Sequence, residues 1–167
     1  GIIAAVRAGV ASIEHGSVLN DEAIRLMKER GTYLVPTSYL GQVIRLDALP
    51  PPIRAKAEYI LPLARQSLQL AIKSGVKIAF GTDAAVIPHG HNAKEFGVLV
   101  ERGMTPIEAI RTATVNAADL LGVNDRGNIA PGLLSDIVAV PGNPLDNIRV
   151  LEDVRFVMKG GQIFKRP

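Results

Sequence analysis

The stretch "VKIAFGTDAAVIPHGHN", residues 76–92, contains both a predicted strand and the side chains of a predicted site. Its first half is apolar, which is typical of a strand buried on both faces of a parallel sheet. The strand then runs into Asp83, and His89 and His91 follow shortly afterwards. A charge at the end of a buried strand is costly unless it is paired or coordinated. The stretch therefore predicts a strand whose carboxyl end serves a chemical purpose.

Two further strands are predicted upstream, over residues 11–15 and 32–37, where the sequences "ASIEH" and "TYLVPT" occur. Together with the strand over residues 76–82, they alternate with helical patterns, and this order predicts parallel strands covered by helices. Ligands bind at the carboxyl ends of parallel strands. Because His15 ends the first strand and Asp83 follows the third, we expect both side chains at the same rim of the sheet.

The rest of the chain divides into two parts. Residues 1–125 continue the alternation, with a long proline-led helix that we expect Pro62 to kink or split. Residues 126–167 predict short strands instead, with Gly160 and Gly161 as a two-residue hairpin turn. The sequence therefore predicts an α/β part over residues 1–125 and a small β-rich part over residues 126–167.

Two helix starts are marked by capping residues. Asn20 or Asp21 can cap the helix that follows the first strand. Thr105 and Glu108 have the spacing of a capping box, with Pro106 at the first helical position. The sequence therefore predicts helices that begin at these two places.

Composition excludes several classes of protein. Apolar residues make up 47% of the 167 residues, which is typical of a folded chain, and the net charge is only +3. The basic residues form no stripe interleaved with aromatic residues, so nucleic acid is not an expected partner. No apolar run is long enough to cross a membrane, and no targeting signal is visible, so we expect a cytoplasmic protein. The chain has no cysteine, which excludes thiolate metal sites.

The residue types at the expected rim fit a metal site, although other interpretations stay open. Zinc accepts the imidazole of His15 and the carboxylate of Asp83, and a carboxylate beside a metal can also take a proton from water. Two ligands are fewer than the three that catalytic zinc sites have in proteins. A histidine at a strand end can instead be structural, Asp83 can cap a turn, and loop histidines are often only solvated. Asn92 fits a helix cap or a contact residue.

Four segments in this order carry a family resemblance. They are "AVRAGVASIEHGSVLNDEAIRLMKERGTYLVPT", "GVKIAFGTDAAVIPHGHNAKEF", "GMTPIEAIRTATVNAADLLG" and "GNIAPGLLSDIVAVPGNPL" with "VRFVMKGGQIFK". Together they resemble the amidohydrolase superfamily, in the branch with imidazolonepropionase-like enzymes and Xaa-Pro dipeptidases. The resemblance implies a (βα)8 TIM-like barrel with a small β-sandwich domain. This chain would supply barrel strands six to eight and the last segment of the sandwich.

The resemblance also implies roles for individual residues. His15 matches the metal-binding histidine of strand six, and Asp83 matches the strand-eight aspartate that binds metal and acts as general base and acid. His89 matches a substrate-side residue of the loop after strand eight. The implied cofactor is a divalent metal, with zinc the expected ion, in one or two copies. The implied reaction is the hydrolysis of an amide bond, in a dipeptide such as Xaa-Pro or a cyclic amide, by metal-activated water.

The chain departs from the family pattern because the other metal ligands, from strands one, four and five, are absent. About 125 residues are available for a barrel that typically needs about 250. We therefore expect a C-terminal fragment that is inactive in isolation. We also expect it to pack against the missing N-terminal part, a second copy of the chain, or both. The alternatives are a deaminase of the same superfamily and a stand-alone module without catalytic activity.

Overall fold

The sheet that positions the rim is small and parallel. The computed structural model describes residues 1–166. Strands β1 (Ser12–Glu14) and β2 (Tyr33–Val35) pair in parallel, with Ile13 opposite Leu34. The chain at Ile78 forms a single parallel bridge to Leu34. The three segments therefore run side by side in the same direction, with β2 in the middle.

The strands are shorter than the sequence predicts. His15 and Thr37 have left-handed backbone conformations, with φ of 64° and 50°, and these end the extended geometry of β1 and β2. The strand predicted over residues 76–82 is wrong as a continuous element, because only the bridge at Ile78 forms. Beside the bridge, the Ala79 amide donates to the carbonyl of Leu34 at 3.0 Å, while the Phe80 amide donates to the carbonyl of Thr112 at 2.9 Å.

Seven α-helices cover the sheet and the loops around it within residues 1–166. They are α1 (Ile2–Arg7), α2 (Asp21–Arg30), α3 (Leu40–Val43), α4 (Pro51–Ser74), α5 (Lys94–Glu101), α6 (Pro106–Thr112) and α7 (Val115–Leu120). The Asn20 side chain caps α2 by accepting from the Ala23 amide, and the Thr105–Glu108 capping box predicted for α6 is present. None of these helices has an apolar stretch of the length that crossing a bilayer requires.

Helix α4 runs without interruption through Pro62, so the predicted split is wrong. Proline removes one amide donor and leaves the carbonyl four residues earlier, that of Glu58, without its helical partner. Both Pro62 and Glu58 are exposed, so water can satisfy that carbonyl. The helix begins with Pro51 and Pro52 in its first turn, where proline costs no hydrogen bond.

The main core lies between the sheet and the helices. Its fully buried side chains include Met27, Leu34 and Leu99, from α2, β2 and α5. Ile148, from the 3-10 helix Ile148–Glu152 near the end of the chain, joins the same core. The 3-10 helix of the predicted second part therefore packs on the first. The division at residues 125 and 126 remains a prediction, and Pro167 lies outside the described residues.

The last part of the chain forms a separate antiparallel sheet. Its strands are β3 (Ile137–Ala139), β4 (Phe156–Lys159) and β5 (Gln162–Lys165), in the order β3–β4–β5. Gly160 and Gly161 join β4 to β5 with φ of 56° and 79°. Two successive left-handed residues form the type of turn that matches the twist of a hairpin. The predicted hairpin turn is therefore confirmed.

Candidate active site

One cavity gathers side chains from the ends of all three parallel segments. It has a volume of about 370 Å³, and its walls include His15, Thr37 and Asp83. These three residues lie at the carboxyl ends of β1, of β2 and of the segment through Ile78, respectively. The two residues that the sequence places at a common rim therefore do line one cavity. Their roles as metal ligands stay a prediction.

The same three rim residues share an unusual backbone conformation. His15, Thr37 and Asp83 have φ of 64°, 50° and 52°, in the left-handed region. Such a conformation in a residue other than glycine costs on the order of 1–3 kcal/mol, and it is least expected for a β-branched side chain such as Thr37. Strain of this kind persists where the surroundings hold it in place, and it clusters at functional sites.

Thr37 contacts His15 directly. The Nδ1 atom of His15 and the Oγ1 atom of Thr37 are 2.7 Å apart, and Thr37 is buried. The Nε2 atom of His15 makes no hydrogen bond within residues 1–166. Sequence reasoning gave Thr37 no role, because a threonine after a strand-ending proline is an ordinary turn residue. The strand-end position is the only signal that could have marked it.

A buried carboxylate holds the turn that follows Thr37. The Glu95 side chain is inaccessible to solvent and accepts from the amides of Ser38, at 2.8 Å, and Tyr39, at 2.6 Å. Burial raises the pKa of the Glu95 carboxyl to about 7, although the two amide hydrogen bonds act in the opposite direction. An acidic residue in the first turn of a helix usually faces solvent, so the sequence gave no sign that Glu95 is buried.

Two arginine guanidinium groups also line the cavity that contains His15 and Asp83. Arg65 comes from α4, and Arg102 follows the end of α5. Arg102 is 4.0 Å from Glu101, a long ion pair, and its side chain is only 14% exposed. Its pKa is lowered, first by burial and then by the positive charge of Arg65. The cavity wall is therefore positively charged and incompletely neutralised, which suits an anionic group on a ligand.

The loop over residues 84–92 does not bring its histidines into the cavity. Within residues 1–166, His89 and His91 are exposed and are not among the residues that line it. Ile87 anchors the loop by complete burial beside Tyr39. The Asn92 side-chain amide donates to the Thr82 hydroxyl at 2.9 Å, and Asn92 does not cap α5, whose N-cap residue is Ala93. The role of His89 with substrate stays a prediction.

Gly81 allows the third segment to approach β2 closely before Asp83. A Cβ atom at this position would collide with Cγ1 of Val35, so no larger residue fits unless the Val35 side chain moves. The glycine of the "FGTD" motif is therefore needed for packing, and it brings the backbone that carries Asp83 up to the end of β2.

The donor set for a metal is incomplete within this chain. Residues 1–166 contain no group of three or more histidine, cysteine, aspartate or glutamate side chains arranged to hold a metal ion. His15 and Asp83 could supply two ligands at most, from one imidazole nitrogen and one carboxylate.

Comparison with known proteins shows the family. The amidohydrolase family profile matches residues 1–164. The chain belongs to the amidohydrolase family. It is similar over its whole length to ochratoxinase of Aspergillus niger, with 39% identity. It is also similar to a solved Xaa-Pro dipeptidase with bound methionine in the active site, with 44% identity and a TM-score of 0.94 over 98% of this chain.

The relatives of this amidohydrolase chain are considerably longer. The chain spans 36% of the ochratoxinase and 42% of the solved dipeptidase chain. A third relative, adenine deaminase 2 of Desulfotalea psychrophila, is 45% identical, but over only 39% of this chain. The family-wide similarity therefore runs the whole length of the chain, whereas the similarity to the deaminase is confined to one segment.

Proposed function

We propose that this chain carries two active-site residues of a metal-dependent hydrolase that cleaves an amide bond. In this proposal, His15 holds a divalent cation, and Asp83 both holds it and transfers the proton. The observation that carries the proposal is the shared cavity, which both residues line from the ends of neighbouring parallel segments. The whole activity belongs to a longer protein, in which this chain supplies strands six to eight of a (βα)8 barrel.

The residues present fit a divalent cation such as zinc. Neutral imidazole and carboxylate are both zinc ligands. The contact with Thr37 engages Nδ1 of His15 and leaves Nε2 available. Within residues 1–166, the Asp83 side chain is exposed and has no hydrogen-bonding or ionic partner, so its carboxylate is available to a cation. The proposal takes one or two ions, with the remaining ligands supplied by the rest of the longer protein.

A bound divalent cation would polarise the scissile carbonyl and lower the pKa of a water molecule towards about 7. Asp83 would accept the proton of the attacking water and pass it to the leaving nitrogen, as general base and then general acid. His15 would contribute through its neutral form, with its proton on the nitrogen that faces Thr37. These tasks need one carboxylate and one imidazole at a single rim.

The cavity favours a compact amide that carries a carboxylate. Its volume of about 370 Å³ lies at the lower end of the range for small-molecule sites. Arg65 and Arg102 offer positive charge on the wall, while Leu61 is among its apolar residues. The similar dipeptidase was solved with methionine, an amino acid, in its active site. We therefore favour a dipeptide such as Xaa-Pro over an uncharged cyclic amide.

Two other functions are less well supported. A deaminase would share the fold, but the similarity to adenine deaminase covers only 39% of the chain. A stand-alone module without catalytic activity is favoured by one observation, the absence of three or more clustered ligands within residues 1–166. The similarity to ochratoxinase and to the dipeptidase extends over 98–100% of this chain, and this favours amide hydrolysis within a longer protein instead.

Metal removal from the complete protein tests this proposal. We expect a strong chelator to abolish hydrolysis of an Xaa-Pro dipeptide, and added zinc to restore it. Release of two amino acids rather than ammonia would identify a hydrolase of the peptide bond. Undiminished turnover after verified metal removal would refute the metal-dependent mechanism, and ammonia release would favour the deaminase.

His89 provides a second test of the site. We propose that it acts on the substrate side, so His89→Ala should raise KM or lower kcat without changing the metal content. His91→Ala is the matched control, because His91 is exposed in the same loop. Loss of metal in His89→Ala would show that the residue has a different role.

A further inference from the structure

Thr37 occupies an unusual position for a threonine. It is buried and β-branched, yet its backbone is left-handed, with φ of 50°. Glycine or asparagine would adopt this conformation more easily, and neither has a hydroxyl group. The threonine hydroxyl is 2.7 Å from Nδ1 of His15. The chain therefore keeps an unfavourable residue at a position from which its hydroxyl reaches that ring.

The contact can select one tautomer of His15. A neutral imidazole has one N–H and one free lone pair, and only the lone pair can bind a metal. If Nδ1 carries the hydrogen and donates to Oγ1 of Thr37, Nε2 is left as the ligand atom. Partners of this kind on the second ring nitrogen fix both the orientation and the basicity of metal-binding histidines.

The turn after Thr37 is held independently of His15. The carboxylate of Glu95, on α5, accepts the amides of Ser38 and Tyr39, the two residues that follow Thr37. Glu95 is completely buried, and Tyr39 packs with Ile87 and Val98. The backbone beyond Thr37 is therefore fixed by α5, and this supplies the external support that a strained residue needs.

We propose that Thr37 is a positioning residue that holds His15 in the Nδ1–H tautomer and aims Nε2 into the cavity. The inference rests on the proposed function in one respect, since it takes His15 to be a metal ligand. Thr37 itself does not bind the metal or touch the substrate in this proposal. Its hydroxyl acts through the imidazole ring.

Substitution of Thr37 in the complete protein tests this role. Thr37→Val keeps the shape and removes the hydroxyl, whereas Thr37→Ser keeps the hydroxyl. We expect Thr37→Val to weaken zinc binding by about 10- to 100-fold, measured by competition with a chromophoric chelator, and Thr37→Ser to stay within about threefold of the unmodified protein. Equal zinc affinity in Thr37→Val, or equal weakening in both variants, would overturn the proposal.

Thr32→Val is the matched control. Thr32 is also buried and its hydroxyl donates to a backbone carbonyl, that of Val10, but it precedes the opposite end of β2. We expect this variant to lose some stability and to keep its zinc affinity. A loss of zinc affinity as large as that of Thr37→Val would show that any buried threonine of this strand matters equally, which contradicts a specific role for Thr37.

A second measurement, of the tautomer of His15, uses the unmodified protein without metal and does not depend on whether Thr37→Val folds. Nitrogen chemical shifts of the metal-free protein distinguish a proton on Nδ1 from one on Nε2, and the His15 signal is the one that disappears in His15→Gln. We expect the Nδ1–H tautomer, and the Nε2–H tautomer would overturn the inference. If the complete protein binds no divalent metal, the proposed function fails, while this measurement still decides the role of Thr37.

Discussion

Two of the regions with left-handed backbone in this protein contrast with each other. At the turn between β4 and β5, it is adopted by Gly160 and Gly161, with φ of 56° and 79°. At the rim of the parallel sheet, it is adopted by His15, Thr37 and Asp83, with φ of 64°, 50° and 52°. Glycine accepts this conformation without steric cost, whereas the other three do not.

The contrast separates positions chosen for shape from positions chosen for chemistry. A hairpin turn needs only the backbone geometry, so glycine fills it. In the proposed function, the rim supplies an imidazole, a hydroxyl and a carboxylate from strand ends, and the fold holds these three residues there despite the conformational cost. Changes at the rim should therefore affect activity more than stability, and changes at the turn should do the reverse.

The largest expected effect comes from Asp83. Asp83→Asn removes the negative charge while keeping a residue that tolerates left-handed backbone. Because general acid–base catalysis contributes about 10²- to 10⁴-fold, we expect kcat of the complete protein to fall by about 10³-fold or more, with the melting temperature almost unchanged. Asp21→Asn, in the first turn of α2, is the control, and near-normal turnover in Asp83→Asn would remove Asp83 from the mechanism.

Glu95 ties the stability of the rim to pH. Its pKa of about 7 lies above the ordinary value of 4.5, so the folded protein binds a proton more tightly than the unfolded chain does. The resulting stability is fully present below pH 4.5 and is lost as the pH rises towards 7. Relative to Glu95→Gln, which cannot titrate, the protein should lose on the order of 3 kcal/mol of unfolding free energy across that window.

Denaturant titrations of the metal-free complete protein between pH 4.5 and pH 7.5 measure this difference. Glu58→Gln, an exposed position on α4, is the control and should follow the pH profile of the unmodified protein. Parallel profiles for the unmodified protein and Glu95→Gln would show that the carboxyl of Glu95 does not carry the predicted shift.

Arg65 should set substrate preference with a smaller effect. If its guanidinium attracts a substrate carboxylate, Arg65→Gln should raise KM about tenfold for a dipeptide with a free carboxylate and leave the carboxamide analogue unaffected. Arg54→Gln is the control, because Arg54 lies on the same helix, pairs with Glu58 and does not line the cavity. A similar rise in KM for the dipeptide and its carboxamide analogue would mean that Arg65 does not bind the substrate carboxylate.

The smallest expected effect is at the hairpin turn. A Cβ atom at Gly161 would meet no atom within 4 Å, so the cost of Gly161→Ala is the left-handed backbone alone. We expect a loss of about 1 kcal/mol in unfolding free energy without a change in kcat. Gly97→Ala, equally uncrowded but inside α5 without a positive φ, should instead stabilise by about 0.5–1 kcal/mol. A change in kcat for Gly161→Ala would contradict the expectation that changes at the turn affect stability and not activity.

The sequence predicted the elements whose signals are local. The helix caps at Asn20 and Thr105 and the hairpin turn at Gly160 and Gly161 each depend on a few neighbouring residues, and all three are confirmed. The alternation of strands and helices also placed His15 and Asp83 correctly at a common rim. Their chemical roles rest on the resemblance and remain to be tested.

The missed features depend on contacts between distant parts of the chain. Glu95 is buried because two amides 56 and 57 residues away point at it, and no local pattern shows this. Thr37 was missed because its importance lies in the ring that it contacts, 22 residues away. The strand predicted over residues 76–82 is reduced to the bridge between Ile78 and Leu34, a pairing of distant segments whose length no local pattern sets.

The most direct test is the position of the metal itself. Anomalous diffraction from crystals of the complete protein grown with zinc would locate the ion. We expect a zinc ion that has Nε2 of His15 and a carboxylate oxygen of Asp83 both at about 2.0–2.2 Å. Zinc bound elsewhere, or bound without contact to either of these two atoms, would contradict it.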